Sequence, residues 1–245
     1  MNDTAHGSKI EAVLFDLDGT LIRARMTEFI PLYVQGLAGY CSSYVKPKKF
    51  IKAMLKTIHD LIYHEGDGFM TNEERLYRRM ENDLGLPEEA LRESLELFAK
   101  NDLTALQSLI RPIPLARQIL LECRDKGLPL VLATNPVFPK FMIRARMAWA
   151  DLDEELFRYV TSYENSHYCK PQAGYFREVA DLLDVAPESC LMVGNDFSHD
   201  LAAVRVGMQA FLVDTWLVDR GEAEWPCLHR GDHASLQRFL NERLQ

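Results

Sequence analysis

Apolar residues in this chain fall into two kinds of pattern. Four short runs, Glu11-Ala-Val-Leu-Phe15, Leu128-Pro-Leu-Val-Leu-Ala133, Cys190-Leu-Met-Val193 and Ala210-Phe-Leu-Val213, are almost unbroken and end at polar or turn residues. Runs of that length without polar alternation suit strands covered on both faces, as in a parallel sheet. Between them the spacing becomes helical, over Leu115 to Cys123 closing at Gly127 and over Tyr175 to Leu183 before a turn at Pro187. Strand alternating with helix predicts an α/β domain with right-handed crossovers.

The stretch from Thr27 to Ser108 carries no strand pattern. Phe50, Ile51, Met54, Leu55, Ile58, Leu61 and Ile62 share one helical face. Thr71 with Glu74 makes a capping box ahead of Leu76, Tyr77 and Met80, and Pro87 suits the start of the next helix. An all-helical insertion is therefore expected, and a last helix is predicted over Ala234 to Leu244.

Composition narrows the function. With 245 residues, 47% hydrophobic and 26% charged, the chain can build a substantial core and is no disordered scaffold. A formal net charge of -8 opposes the basic footprint of a nucleic-acid binder, so no nucleic-acid partner is expected. It also requires that any phosphate site be made positive locally, by a metal, a lysine or backbone amides. The polar start, Met1 to Lys9, lacks a secretory pattern, and no apolar run is long enough for a membrane span, so a cytoplasmic protein without membrane contact is expected. Five scattered cysteines without a CxxC pair read as reduced thiols.

The chemistry concentrates in Asp16-Leu17-Asp18-Gly19-Thr20, at the carboxyl end of the first predicted strand. In parallel α/β sheets that edge binds ligands. Carboxylates two apart on an extended segment project the same way, so Asp16 and Asp18 can share a divalent cation while Gly19 turns the chain. A metal-neutralised carboxylate can attack phosphorus, and its neighbour can hold the proton for the leaving oxygen.

This DxDGT after an apolar strand resembles the first motif of the haloacid dehalogenase-like hydrolase superfamily, in its C1-capped phosphatase branch. The remaining motifs stand in the family's order. Thr134-Asn135 ends the second run, where a hydroxyl and the following backbone N–H can hold a phosphoryl oxygen. Lys170-Pro171 precedes a helix, where a lysine would neutralise both the nucleophile and the transferring group. Gly194-Asn-Asp-Phe-Ser-His-Asp200 follows the third run and keeps the spacing of the acidic motif, with Asn195 interposed between glycine and Asp196.

The resemblance implies a Rossmann-like parallel core, residues 1–22 and 109–245, and a helical cap, residues 23–108, that moves as a unit over the active site and sets specificity. It implies Asp16 as nucleophile and Asp18 as acid and base. Thr134, Asn135 and Lys170 would bind phosphate. Mg²⁺ would be held by Asp16, Asp18 through its backbone carbonyl, and Asp196, while Asp200 orients Lys170 or a metal-bound water. The expected activity is hydrolysis of a small phosphorylated metabolite. A phosphomutase, or a non-catalytic binding protein on the same fold, is the alternative. A dehalogenase fits less well, because family members with that activity lack an acid at the position of Asp18.

Overall fold

All four side chains of the first strand, β1 (Ala12–Phe15), are buried, so it needs a covered partner on each side. The computed structural model, which describes residues 8–221 and 225–244, supplies both. Parallel β4 (Leu130–Leu132) pairs with one edge of β1 and parallel β6 (Cys190–Gly194) with the other. Beyond β4 lies β5 (Tyr159–Val160), and beyond β6 lie β7 (Gln209–Val213) and β8 (His229–Gly231). The six-stranded sheet runs β5-β4-β1-β6-β7-β8, all parallel. Helices α5 (Pro114–Asp125), α6 (Lys140–Ala148), α7 (Ala173–Leu183) and α8 (His233–Arg243) surround it. Apolar side chains cover both faces, one around Val13, Phe15, Leu132 and Val193, the other around Leu14, Val131, Tyr175 and Met192.

The strand-free stretch folds as four helices, α1 (Met26–Tyr40), α2 (Pro47–Tyr63), α3 (Asn72–Leu84) and α4 (Glu88–Asn101), and a 3-10 turn at Leu103–Leu109. The chain enters and leaves it through two short antiparallel strands, β2 (Ile22–Ala24) and β3 (Ile110–Pro112). The predicted capping box is present at Thr71 and Glu74. One member of the predicted apolar face, Leu55, is exposed instead, while Ala53 and Thr57 take buried places on α2.

The insertion and the sheet share apolar packing. One apolar cluster runs from Val13 and Phe15 through Phe29, Tyr33 and Phe138 to Phe50 and Leu76. Phe138, just before α6, has its ring 6.1 Å from that of Phe29 and 5.9 Å from that of Tyr33, both on α1. Polar contacts join the two parts elsewhere. The Gln172 amide donates to the carbonyls of Leu61 (2.9 Å) and Ile62 (2.8 Å) and accepts from Gly66 N–H. Asn72 donates to Pro136 and Tyr168 carbonyls, at 3.2 and 3.1 Å.

Candidate active site

The sheet delivers four loops to one edge. Phe15 accepts from Ala133 N–H at 2.7 Å, and Asp16 N–H donates to Val193 at 2.9 Å, so the ends of β1, β4 and β6 are fixed side by side. Asp16 leaves β1, Thr134 and Asn135 follow β4, and Asp196 follows β6. Lys170 comes from the loop between β5 and α7.

Lys170 is the hinge of the charge arrangement. Its ammonium, 2% exposed, donates to Asp16 Oδ1 at 2.7 Å and to Asp200 Oδ1 at 2.6 Å. Burial opposes its charge, yet the two carboxylates more than offset this and hold Lys170 protonated well above the ordinary lysine range. Asp16 goes the other way. Burial pushes its carboxyl up to about 7, against the pull of Lys170 and with the help of Asp200 and Asp18. Asp200 Oδ2 accepts from Asp196 N–H at 2.9 Å, which ties the loop together rather than capping the short turn that follows. A side-chain carbon at Gly194 would collide with the Asp200 carboxyl group, so glycine is required there.

Asp196 is held on both oxygens. Backbone N–H groups of Ser198 and His199 donate to Oδ1, each at 3.0 Å, and Arg220 donates to Oδ2 through Nε (3.1 Å) and Nη2 (2.7 Å). Burial works to raise its pKa, but His199, Arg220 and the backbone donor together leave it lowered. His199 in turn lies 3.5 Å from the hydroxyl of Tyr63, so the end of α2 reaches the site.

Asn195, the residue that departs from the expected spacing, is a tie between loops. It accepts from Thr20 Oγ1 at 3.3 Å and donates to the Trp216 carbonyl at 2.6 Å. Gly19, at φ +92°, lies so close to Asn195 that a side chain would displace it. Asn135 turns its amide N–H to the Lys170 carbonyl at 3.1 Å, and the carbonyl of Thr134 accepts from Thr161 and Tyr175 hydroxyls at 2.8 and 3.0 Å.

Asp18, close enough to Asp16 to help raise its pKa, pairs with Arg146 on α6, its Oδ2 accepting from Nη1 at 2.5 Å. Six buried side-chain atoms meet no hydrogen-bond partner among the described residues, and four of them are Asp18 Oδ1, Asn135 Oδ1, and Nε and Nη2 of Arg146. Unmet polar atoms cost about 1–3 kcal/mol each, and at a ligand site the ligand can satisfy them.

Sequence reasoning missed Arg146 and Arg220. Arg220 lies in a loop after β7 whose only signal is charge. Arg146 had a better signal, since it shares the buried face of α6 with Met142, Ile143 and Met147, where a charge is out of place. Among the described residues no three His, Cys, Asp or Glu side chains form a group able to hold a metal ion unaided. No helix is long and apolar enough to cross a membrane.

Known proteins share this arrangement of fold and sequence. The family model for haloacid dehalogenase-like hydrolases matches residues 10–207. A glyceraldehyde 3-phosphate phosphatase of Methanothermobacter thermautotrophicus is 29% identical over 117 residues, 46% of this chain and 49% of that protein. A phosphoserine phosphatase of Thermus thermophilus is 31% identical over 172 residues, 70% of this chain and 65% of that protein. The match thus spans less than two thirds of the length of these relatives. The crystal structure of a phosphatase from Thermococcus onnurineus superposes with a TM-score of 0.57 at 21% identity, covering 94% of this chain and 98% of that one. At that identity the likeness concerns the fold.

Proposed function

The chain belongs to the haloacid dehalogenase-like hydrolases, and from that membership and the geometry of its carboxylates we propose a magnesium-dependent phosphomonoester hydrolase that works on a small phosphorylated metabolite through Asp16. The observation that carries this reading is Lys170, buried between Asp16 and Asp200 at the carboxyl edge of a parallel sheet. A carboxylate so placed is oriented for attack and lies beside the positive charge that a transferring phosphoryl group needs.

In the first step an Asp16 oxygen forms a bond to phosphorus as the bond to the leaving oxygen breaks, and Asp18 gives that oxygen its proton. In the second, Asp18 takes a proton from water as the water oxygen attacks the aspartyl phosphate, releasing phosphate and restoring Asp16. Lys170 and the Thr134–Asn135 turn hold the phosphoryl oxygens. Two relatives over this region are named phosphatases, which supports water over a second substrate hydroxyl as acceptor.

The residues present fit magnesium. Asp16, the backbone carbonyl of Asp18 and Asp196 form an all-oxygen set, and a small hard cation bound by one or two carboxylates keeps its other positions for water and phosphate. Asp196 retains lone pairs beyond its bonds to Arg220 and the backbone. With its carboxyl pushed up to about 7 by burial, Asp16 needs further positive charge to be fully ionised at neutral pH. Magnesium bound there would supply that charge and offset the repulsion between carboxylate and substrate.

Residues 1–22 and 109–245 are then the catalytic part, and residues 23–108 the part that selects substrate, with Tyr63 at its contact with the site. The test is a panel of phosphorylated metabolites assayed for released phosphate. Activity should require Mg²⁺ and disappear in EDTA; undiminished turnover in excess chelator rejects the metal. The Asp18→Asn protein, given an activated phosphate ester and Mg²⁺, should accumulate one phosphate on Asp16 by mass spectrometry.

A further inference from the structure

Arg146 is fully buried, although α6 needs only apolar side chains at that position. Its guanidinium lies over the rings of Phe29, 5.5 Å from the centroid, and Phe138, at 4.9 Å. Nη1 donates to Asp18 Oδ2 at 2.5 Å and approaches Met26 Sδ at 3.8 Å. Nε and Nη2 meet no hydrogen-bond partner among the described residues. The aromatic faces hold the cation, but a buried guanidinium with two unspent N–H groups remains costly. Methionine or leucine would fill the space without that cost, as Met142 and Met147 do nearby. The benefit must lie in what the guanidinium does to Asp18.

Among the described residues Arg146 is the side-chain partner of Asp18, and it engages one oxygen alone. Oδ1 is buried and free of hydrogen bonds. We propose that Arg146 is the positioning residue of the acid–base step: it anchors Oδ2, fixes the plane of the carboxyl group, and leaves Oδ1 as the atom that carries the proton. The inference rests on the phosphatase reading. The balance is that of the two steps already given, with the proton passing from Oδ1 to the leaving oxygen and later from water to Oδ1. Arg146 touches neither the substrate nor the proton. The two phenylalanines hold the guanidinium in place, which a lysine's flexible stem and point charge could not reproduce.

The experiment compares Arg146→Met and Arg146→Lys with the full-length wild type, with Mg²⁺, on two esters. One is an alkyl phosphate, whose leaving oxygen needs a proton; the other is 2,4-dinitrophenyl phosphate, whose leaving group does not. For R146M, kcat/KM on the alkyl ester should fall by about 100-fold while kcat/KM on the activated ester changes by less than about 3-fold. On the activated ester kcat and KM should fall together, because hydrolysis of the aspartyl phosphate also needs Asp18, and intact-mass measurement should show phosphorylated protein during turnover. R146K should show the same selectivity at roughly 10-fold, and it decides the matter should R146M not fold. Equal losses on both esters, or no loss in R146K, overturn the positioning role. A wild type that turns over neither ester and takes up no phosphate overturns the phosphatase reading, and this inference with it.

Discussion

Asp16 is pulled in two directions by its surroundings. Lys170 at 2.7 Å favours the carboxylate, whereas burial and two neighbouring carboxylates oppose it, and the opposition wins. Its folded value of about 7 lies above the unfolded value near 4, so the ionised side chain costs stability above about pH 7, and the cost fades as pH falls toward the unfolded value. Asp16→Asn removes that charge. In EDTA the variant should therefore resist urea better than wild type at about pH 8, with the gap narrowing as the pH is lowered from 7 toward 4. A less stable variant at pH 8 would mean that the bond to Lys170 outweighs burial. Turnover by this variant should fall to background with Mg²⁺ present. Asp16, Lys170, Asp196 and Asp200 were legible because each ends a buried apolar run or follows one in a fixed order. Arg146 was not, since its partner lies 128 positions away and no local pattern reports a contact across the fold. The cation beside Asp18 was hidden for the same reason, because the spacing of Asp16 and Asp18 after the first strand carries no signal that α6 supplies it.

Elements were legible where an apolar run or a capping motif marks them. β1, β4, β6 and β7 each contain an apolar run, and α3 announces itself through Thr71 and Glu74. Thr71→Ala removes the side-chain acceptor for Glu74 N–H, and about 1 kcal/mol of stability should go with it in a thermal or urea melt. The strands β2, β3, β5 and β8 were missed: each has two or three residues, arginine interrupts β2, β3 and β8, Pro112 ends one, and none forms an unbroken apolar run of four. The exposed Leu55 shows the complementary limit, because helical spacing gives a face and tertiary packing decides how wide the buried part of it is. Gln172 holds the end of α2 and the segment after it at four backbone positions, Leu61, Ile62, His64 and Gly66, and Arg75 also donates to the His64 carbonyl. Gln172→Ala should remove the Gln172 bonds and speed amide hydrogen exchange across residues 62–68, with little change in the sheet. Uniform protection in the variant would show that the apolar contacts of α1 suffice.

At the scale of the whole molecule, the sheet and the helical insertion share apolar packing through Phe138. Phe138→Ala should cost about 3–5 kcal/mol, and both parts should weaken together, giving one transition by tryptophan fluorescence and by circular dichroism. Two separated transitions would mean that the parts are independent after all. Any opening of the insertion away from the sheet would have to break the Phe29 and Tyr33 contacts with Phe138 as well as the Gln172 bonds, and a boundary of that kind favours slow, infrequent opening. The position of β1 in the sheet has a separate bearing on how the protein is made. Among the described residues it is the first strand in chain order, and it lies at the centre of the order β5-β4-β1-β6-β7-β8. On the ribosome its four apolar residues emerge more than a hundred positions before β4, their first partner, and still earlier than β6. Until β4 has been translated Ala12 to Phe15 is a wholly apolar segment with two free edges, until β6 has been translated one edge stays free, and among the described residues the insertion and α5 are what precedes β4 and can shelter it. The nascent chain is thus most open to chaperones and most prone to aggregate while the insertion is complete and the sheet is not.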